Sequence, residues 1–140
     1  MTKAEKAALA TMSPEQLVEG FVREAKLYEL SDVSKANAAL ENELAYAAEI
    51  ERRGGMPSLA PLLDSSDPFI AYSVARLLAR LENFQKRALG VLDSIVESHV
   101  GFASDLADTA RNMVRYGNPD GDPIEVENRR AAIRARYNRA

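Results

Sequence analysis

Glutamates at positions 15, 19, 41, 43, 49 and 51 are the first residues in the chain whose type and spacing can do chemistry. Facing carboxylates on paired helices can hold two metal ions, but such bundles also need a Glu-x-x-His pair on each of two helices. His99 is the sole histidine, and Val96 stands three residues before it. Metal catalysis is therefore not expected, and no cofactor is expected. What remains for Glu15, Glu19, Glu41, Glu43 and Glu49 is a negative surface that steers a basic partner by long-range attraction. An ordinary solvated helix face is the plainer reading of the same residues.

His99 falls at the end of a helical stretch, just before Gly101, where an imidazole interacts favourably with the carboxyl end of the dipole. That capping role suits it better than general-base work, and no Ser-His-Asp set or Gly-x-Ser-x-Gly elbow accompanies it. The chain has no cysteine, which excludes disulfides, thiolate nucleophiles and thiolate metal ligands. Neither Gly54-Gly55 nor the Gly117–Gly121 stretch leads into Gly-Lys-Ser/Thr, so no phosphate loop is present. On these grounds the protein is expected not to be an enzyme.

A second charged group closes the chain. Arg129, Arg130, Arg134, Arg136 and Arg139, with Tyr137, can touch phosphate or an acidic protein groove. Nucleic-acid binding is not expected, because the chain has a pI of about 5.3 and no separate basic face. Glu125 stands one turn before Arg129, the stabilising order for an ion pair on a helix. A solvated tail helix is the first reading. A protein contact, including the acidic hairpin of a second copy, comes next, and Arg130, Arg134 and Tyr137 are the residues expected to carry it. Asp32, Lys35 and Asn37 form a smaller polar group at the mouth of the first helical hairpin, where Asp32 or Ser34 serves as a cap.

These groups need elements to hold them. Ser13-Pro14-Glu15-Gln16 is a helix start with a capping box and proline at the first position. Leu17, Val18, Phe21, Val22, Ala25 and Tyr28 then recur at helical spacing. A second helix is predicted over about Val33–Arg53, with Ala36, Leu40, Leu44, Ala47 and Ile50 inward, stopped by Gly54-Gly55. Its short connection makes the pair an antiparallel hairpin. Pro57 opens a short helix through Leu59, Leu62 and Leu63, and Asp67-Pro68 restarts the chain. Ile70, Val74, Leu77, Leu78 and Leu81 form a buried stripe. Two more helices follow. One runs from Phe84 with Ala88, Val91, Leu92, Ile95 and Val96 inward, and one carries Phe102, Leu106, Ala110, Met113 and Val114. Asn118–Pro123 is a linker of turn residues, and Asp122, Pro123 and Glu125 open a last helix whose apolar stripe, Val126, Ile133 and Tyr137, is thin. Such a helix is expected to dock weakly, cross to another subunit or fray.

The 140 residues, 46% apolar and 28% charged, suit one globular domain. A net charge of −3 hides an acidic front, since Ser13–Glu51 holds nine acids against three bases. Met1–Met12 lacks the continuous apolar core of a secretory signal and is expected to be flexible. The longest uncharged stretch, Gly54–Leu63, is interrupted by glycines and prolines and is too short to span a bilayer. A cytoplasmic protein with no membrane partner is expected.

Leu59–Val96 resembles a HEAT repeat: a helix ending in Leu62-Leu63, an Asp64-x-x-Asp67-Pro68 turn, then Val74-Ala75-x-Leu77-Leu78. The basic residue often found after that turn is absent, Ile70-Ala71 standing there instead. Over about residues 14–117, a longer pattern resembles a family of small bacterial proteins catalogued as "domain of unknown function" two-zero-one-nine. It comprises Leu17-Val18, Phe21, Ala25, Asp32-Val33-Ser34-Lys35-Ala36-Asn37, Glu51-Arg52-Arg53-Gly54, Leu62-Leu63-Asp64 and Asp67-Pro68. The resemblance implies a HEAT-like fold in a bacterial cytosolic protein and no assigned activity.

The expected architecture is thus all-α: a HEAT-like array of antiparallel helical hairpins, about six helices, over residues 13–117. A linker at 118–122 and an arginine-rich tail helix at 123–140 complete it. The expected function is a non-enzymatic protein-binding module that grips a protein partner by its acidic front hairpin or concave face. Two other readings are an immunity or antitoxin-like protein masking a basic toxin, and a structural homo-oligomer assembled through the tail helix.

Overall fold

The computed structural model describes residues 1–27, 33–98 and 101–138. Tyr28, Asp32, His99 and Arg139, singled out above, lie outside the described residues. Within them the chain is all-α: seven α-helices, two 3-10 stretches and no strand. The order is α1 (Lys3–Ala8), a 3-10 turn (Leu9–Thr11), α2 (Pro14–Lys26), α3 (Val33–Arg52), a 3-10 stretch (Met56–Asp64), α4 (Pro68–Leu78), α5 (Glu82–Ser98), α6 (Phe102–Tyr116) and α7 (Pro123–Asn138).

The helix ends follow from local chemistry. Ser13 Oγ accepts from the Gln16 backbone N–H at 3.1 Å while Gln16 Oε1 accepts from the Ser13 N–H at 2.9 Å, the reciprocal box that starts α2. After α3, Gly54 takes a φ of +71° and Gly55 donates back to the Ile50 carbonyl. The paired bond from Gly54 to Glu51 completes a Schellman turn, which needs that left-handed glycine. Asp67 Oδ1 accepts from the Phe69 N–H at 2.9 Å and caps α4 behind Pro68. The helix expected from Pro57 is instead 3-10, with Pro61 inside it. A proline there removes an N–H and clashes with the preceding turn, which an α-helix does not tolerate.

α4 is the axis of the core. Ile70 to Ala75, Leu77 and Leu78 are all buried, so the helix is covered on every side. It packs against α2, α5, α6 and the second 3-10 stretch, while α2 pairs with α3 and α5 with α6. Phe21, Leu17, Leu59, Leu78, Leu92 and Val74 are the largest apolar side chains fully removed from water. Burial on that scale contributes about 1.5–3 kcal/mol per side chain.

Three expectations about facing and order are corrected. The inward stripe of α3 is Ala39, Glu43, Tyr46, Ala47 and Ile50, and Leu44 points outward at 45% exposure. The inward side of α6 is Ala103, Ala107, Ala110 and Asn112, with Phe102 and Met113 about half exposed. Small side chains let α6 lie close to its neighbours, and the larger ones turn away. The first twelve residues, expected to be loose, form α1 and its 3-10 turn, and Leu9 is buried. Arg53 holds this segment: its guanidinium donates to the carbonyls of Met12 at 2.8 Å, Leu9 at 3.0 Å and Ala10 at 3.1 Å. The Leu9 carbonyl also accepts from the Met12 N–H at 3.2 Å, while those of Ala10 and Met12 stand at the helix end, where carbonyls lack intrahelical partners.

Candidate functional site

The front acids divide between surface and interior. Glu15, Glu19 and Glu41 are exposed on α2 and α3. Glu43 is not on the surface at all. Its side chain is fully buried in the inward stripe of α3, where its Oε1 accepts from the Arg76 guanidinium of α4 at 2.9 Å. Glu49 is clamped between Arg52 at 2.6 Å and Arg53 at 2.9 Å. Hydrogen bonds from both guanidinium groups lower its carboxyl from 4.5 to about 2. Glu24 is buried as well. The structure therefore does not gather Glu15, Glu19, Glu41, Glu43 and Glu49 into one acidic face.

The tail residues stay apart from those acids. On α7, Arg130 lies 3.7 Å from Asp120 of the linker, and Arg134 pairs with Glu127 at 2.7 Å. That pairing holds the Glu127 carboxyl below its ordinary value. Arg129 donates to the Asp120 carbonyl at 3.3 Å. Val126 is buried, whereas Ile133 is 51% and Tyr137 79% exposed.

An open hollow of about 490 Å³ lies between α4 and α6. Ala79, Ala110, Met113 and Val114 give it apolar walls, with Tyr72, Arg76 and Arg80 along one side and Gln85 and Thr109 beside them. A volume of that size with few polar groups is the usual form of a binding site. Arg76 is fixed on three counts: it bonds Glu43, it donates to the Tyr72 hydroxyl at 3.3 Å, and its guanidinium carbon lies 5.3 Å from the Tyr72 ring centroid. Arg80 is mostly exposed and stands 3.9 Å from Glu51, which leaves its guanidinium accessible to an incoming anion. Gln85 Nε2 donates to the Ala79 carbonyl at 3.1 Å and ties the end of α4 to α5.

A polar ladder supports α6 from behind. Asp93 of α5 accepts from Arg115 at 2.6 Å and Arg111 at 3.4 Å, and Arg111 also bonds Asp108. Burial pushes the Asp93 carboxyl up, but the hydrogen bonds and charges of Arg115 and Arg111 outweigh it and hold it below its ordinary value.

Ala110, Met113 and Val114 were read from sequence only as inward residues of a helix, and no groove residue was read as part of a site. The available signal was Tyr72 and Arg76 at i and i+4 on a helix otherwise made of apolar and small residues, with Arg80 in the turn just past its end. No group of three or more His, Asp or Glu suited to a metal ion occurs among the described residues. No helix among them is long and apolar enough to cross a membrane.

The geometry defines an all-α protein with an arginine-edged apolar groove. No protein-family model matches the chain, and neither a curated protein nor a solved structure matches it.

Proposed function

We propose that the protein is a non-enzymatic protein-binding module whose working surface is the groove between α4 and α6. The observation that carries this reading is the pairing of an apolar hollow with two arginines on one side, one held rigid by Glu43 and one open to solvent. Such a surface suits a partner segment that places a large apolar side chain beside a carboxylate. Buried apolar anchors next to arginine are where binding energy concentrates in protein interfaces. The HEAT-like pattern of Leu59–Val96 supports the same reading, since stacked hairpins present extended grooves to partners. A masking role against a basic protein draws less support, because Glu24 and Glu43 are buried and Glu49 is neutralised by two arginines.

Selection from a displayed library of random peptides tests the proposal. Enriched sequences should pair Leu, Met, Phe or Trp with Asp or Glu, and Met113→Asp or Arg80→Glu should weaken them by about tenfold or more. Enrichment of basic peptides, or binding that both variants retain in full, would overturn it.

A further inference from the structure

We propose that α7 docks along the outer face of α3 in a second copy of this chain, so that two chains exchange tail helices and form a symmetric dimer. Residues 126, 130, 133 and 137 fall on one side of α7, since these spacings return to the same face of a helix. That side carries Val126, Ile133 and Tyr137 flanked by Arg129, Arg130 and Arg134, while Ile124 lies opposite. Only Val126 is covered within the chain, and every residue from 127 to 138 is exposed.

The outer face of α3 is its counterpart. Glu41, Leu44, Ala48 and Glu51 recur there at i, i+3, i+7 and i+10, all exposed. Beside Leu44 is a hollow of about 430 Å³ bounded by Met1, Lys6, Glu41 and Ala45. An apolar centre edged by arginines thus meets an apolar centre edged by glutamates. The exposed part of the tail strip, roughly 11 Å from Arg130 to Tyr137, fits within the roughly 15 Å from Glu41 to Glu51. Lys6, Arg52 and Arg80 are bases near the acidic strip; Arg52 is already bonded to Glu49, and Arg80 stands 3.9 Å from Glu51. Present partners of the pairing charges are solvent-exposed ion pairs: Arg134 with Glu127, Arg130 with Asp120 and Glu51 with Arg80. Exposed pairs of this kind contribute little and exchange readily.

Within the chain Arg129, Arg130 and Ile133 edge an open hollow shared with Asp105 and Asp108 of α6 yet stay exposed. A second copy is the occupant proposed because the same chain presents both strips. Within one chain α7 lies beside α6 and the linker, while α3 packs on α2 and on the α4 side of the core. Twofold symmetry then uses each strip once per chain and closes the assembly.

The chain's lack of cysteine makes the contact directly testable. Mild oxidation of a mixture of Leu44→Cys and Ile133→Cys proteins should give the mixed disulfide, and replacing the second by Ile124→Cys should not. Light scattering of the full unmodified chain should give about twice the 15.4 kDa of one chain. Ile133→Asp and Leu44→Asp, at positions exposed in the single chain, should each reduce it to one chain with unaltered helix content, and should remove any concentration dependence of melting. A single-chain mass at the highest concentration reached, or any mass other than two chains, overturns the proposal. So does loss of the dimer with Ile133→Asp but not Leu44→Asp, which would place α7 on another surface.

Discussion

Arg76 on α4 and Glu43 on α3 form an ion pair at 2.9 Å whose carboxylate is wholly removed from water. Removing one partner of such a pair leaves a buried charge unsatisfied, and the cost is roughly 3–5 kcal/mol, whereas replacing both with apolar groups is often neutral. Arg76→Met is therefore expected to lower the urea midpoint strongly. Glu43→Leu combined with Arg76→Met should recover most of that loss. A double variant as unstable as the single one would show that the pair is not the source of the effect.

Gly20 on α2 meets the ring of Tyr46 on α3 so closely that a β-carbon at position 20 would overlap it. The same ring is bonded through its hydroxyl to Arg23 at 2.9 Å and is buried. Glycine within a helix usually costs 0.5 to 1, or roughly 0.7 kcal/mol, relative to alanine. Here the sign reverses. Gly20→Ala should destabilise the fold by about 1–3 kcal/mol through overpacking, read as a drop of several degrees in melting temperature. Trimming the ring with Tyr46→Leu should make the alanine tolerable.

Glu49 is the carboxylate whose ionisation the fold favours most clearly. Its pKa of about 2 in the folded protein lies below the ordinary 4.5, so its ionised form stabilises the folded state. That contribution is complete above pH 4.5 and disappears as pH falls through about 2. Glu49→Gln should melt below the unmodified protein at pH 7, and the difference should shrink steadily between pH 4.5 and pH 2. A difference that is constant across this range would remove Glu49 as the titrating group.

Val126 is the one buried residue of α7. Burying a valine is worth about 1.5 kcal/mol, enough to hold the undocked state down about tenfold. Val126→Asp should speed tryptic cleavage at Arg129 and Arg130 by about that factor. The melting of the rest of the protein should not change.

The helix starts at Ser13-Pro14, Asp67-Pro68 and Asp122-Pro123 were legible because a cap is a property of four neighbouring residues. The inward sides of α3 and α6 were not. An acid such as Glu43 reads as surface until Arg76, thirty-three residues later, arrives to neutralise it. Alanines at 103, 107 and 110 read as filler until a close helix makes them the contact. The groove was hidden for the same reason. Tyr72 and Arg76 share a face in the sequence alone, but only the rotation of α6 brings Met113 and Val114 opposite them.

Arg53 carries an order of assembly. Its guanidinium closes contacts across 41 to 44 residues, to carbonyls that exist in the right place only once the turn at Leu9–Thr11 has formed. Its own position depends on the end of α3 and the glycine turn that follows. The clasp therefore engages after the α2–α3 pair has folded, since a long loop must be closed before its bonds can form. The first twelve residues are then the last part of the chain to join and the first to leave, a small latch whose opening amide exchange would register well below the transition of the whole fold.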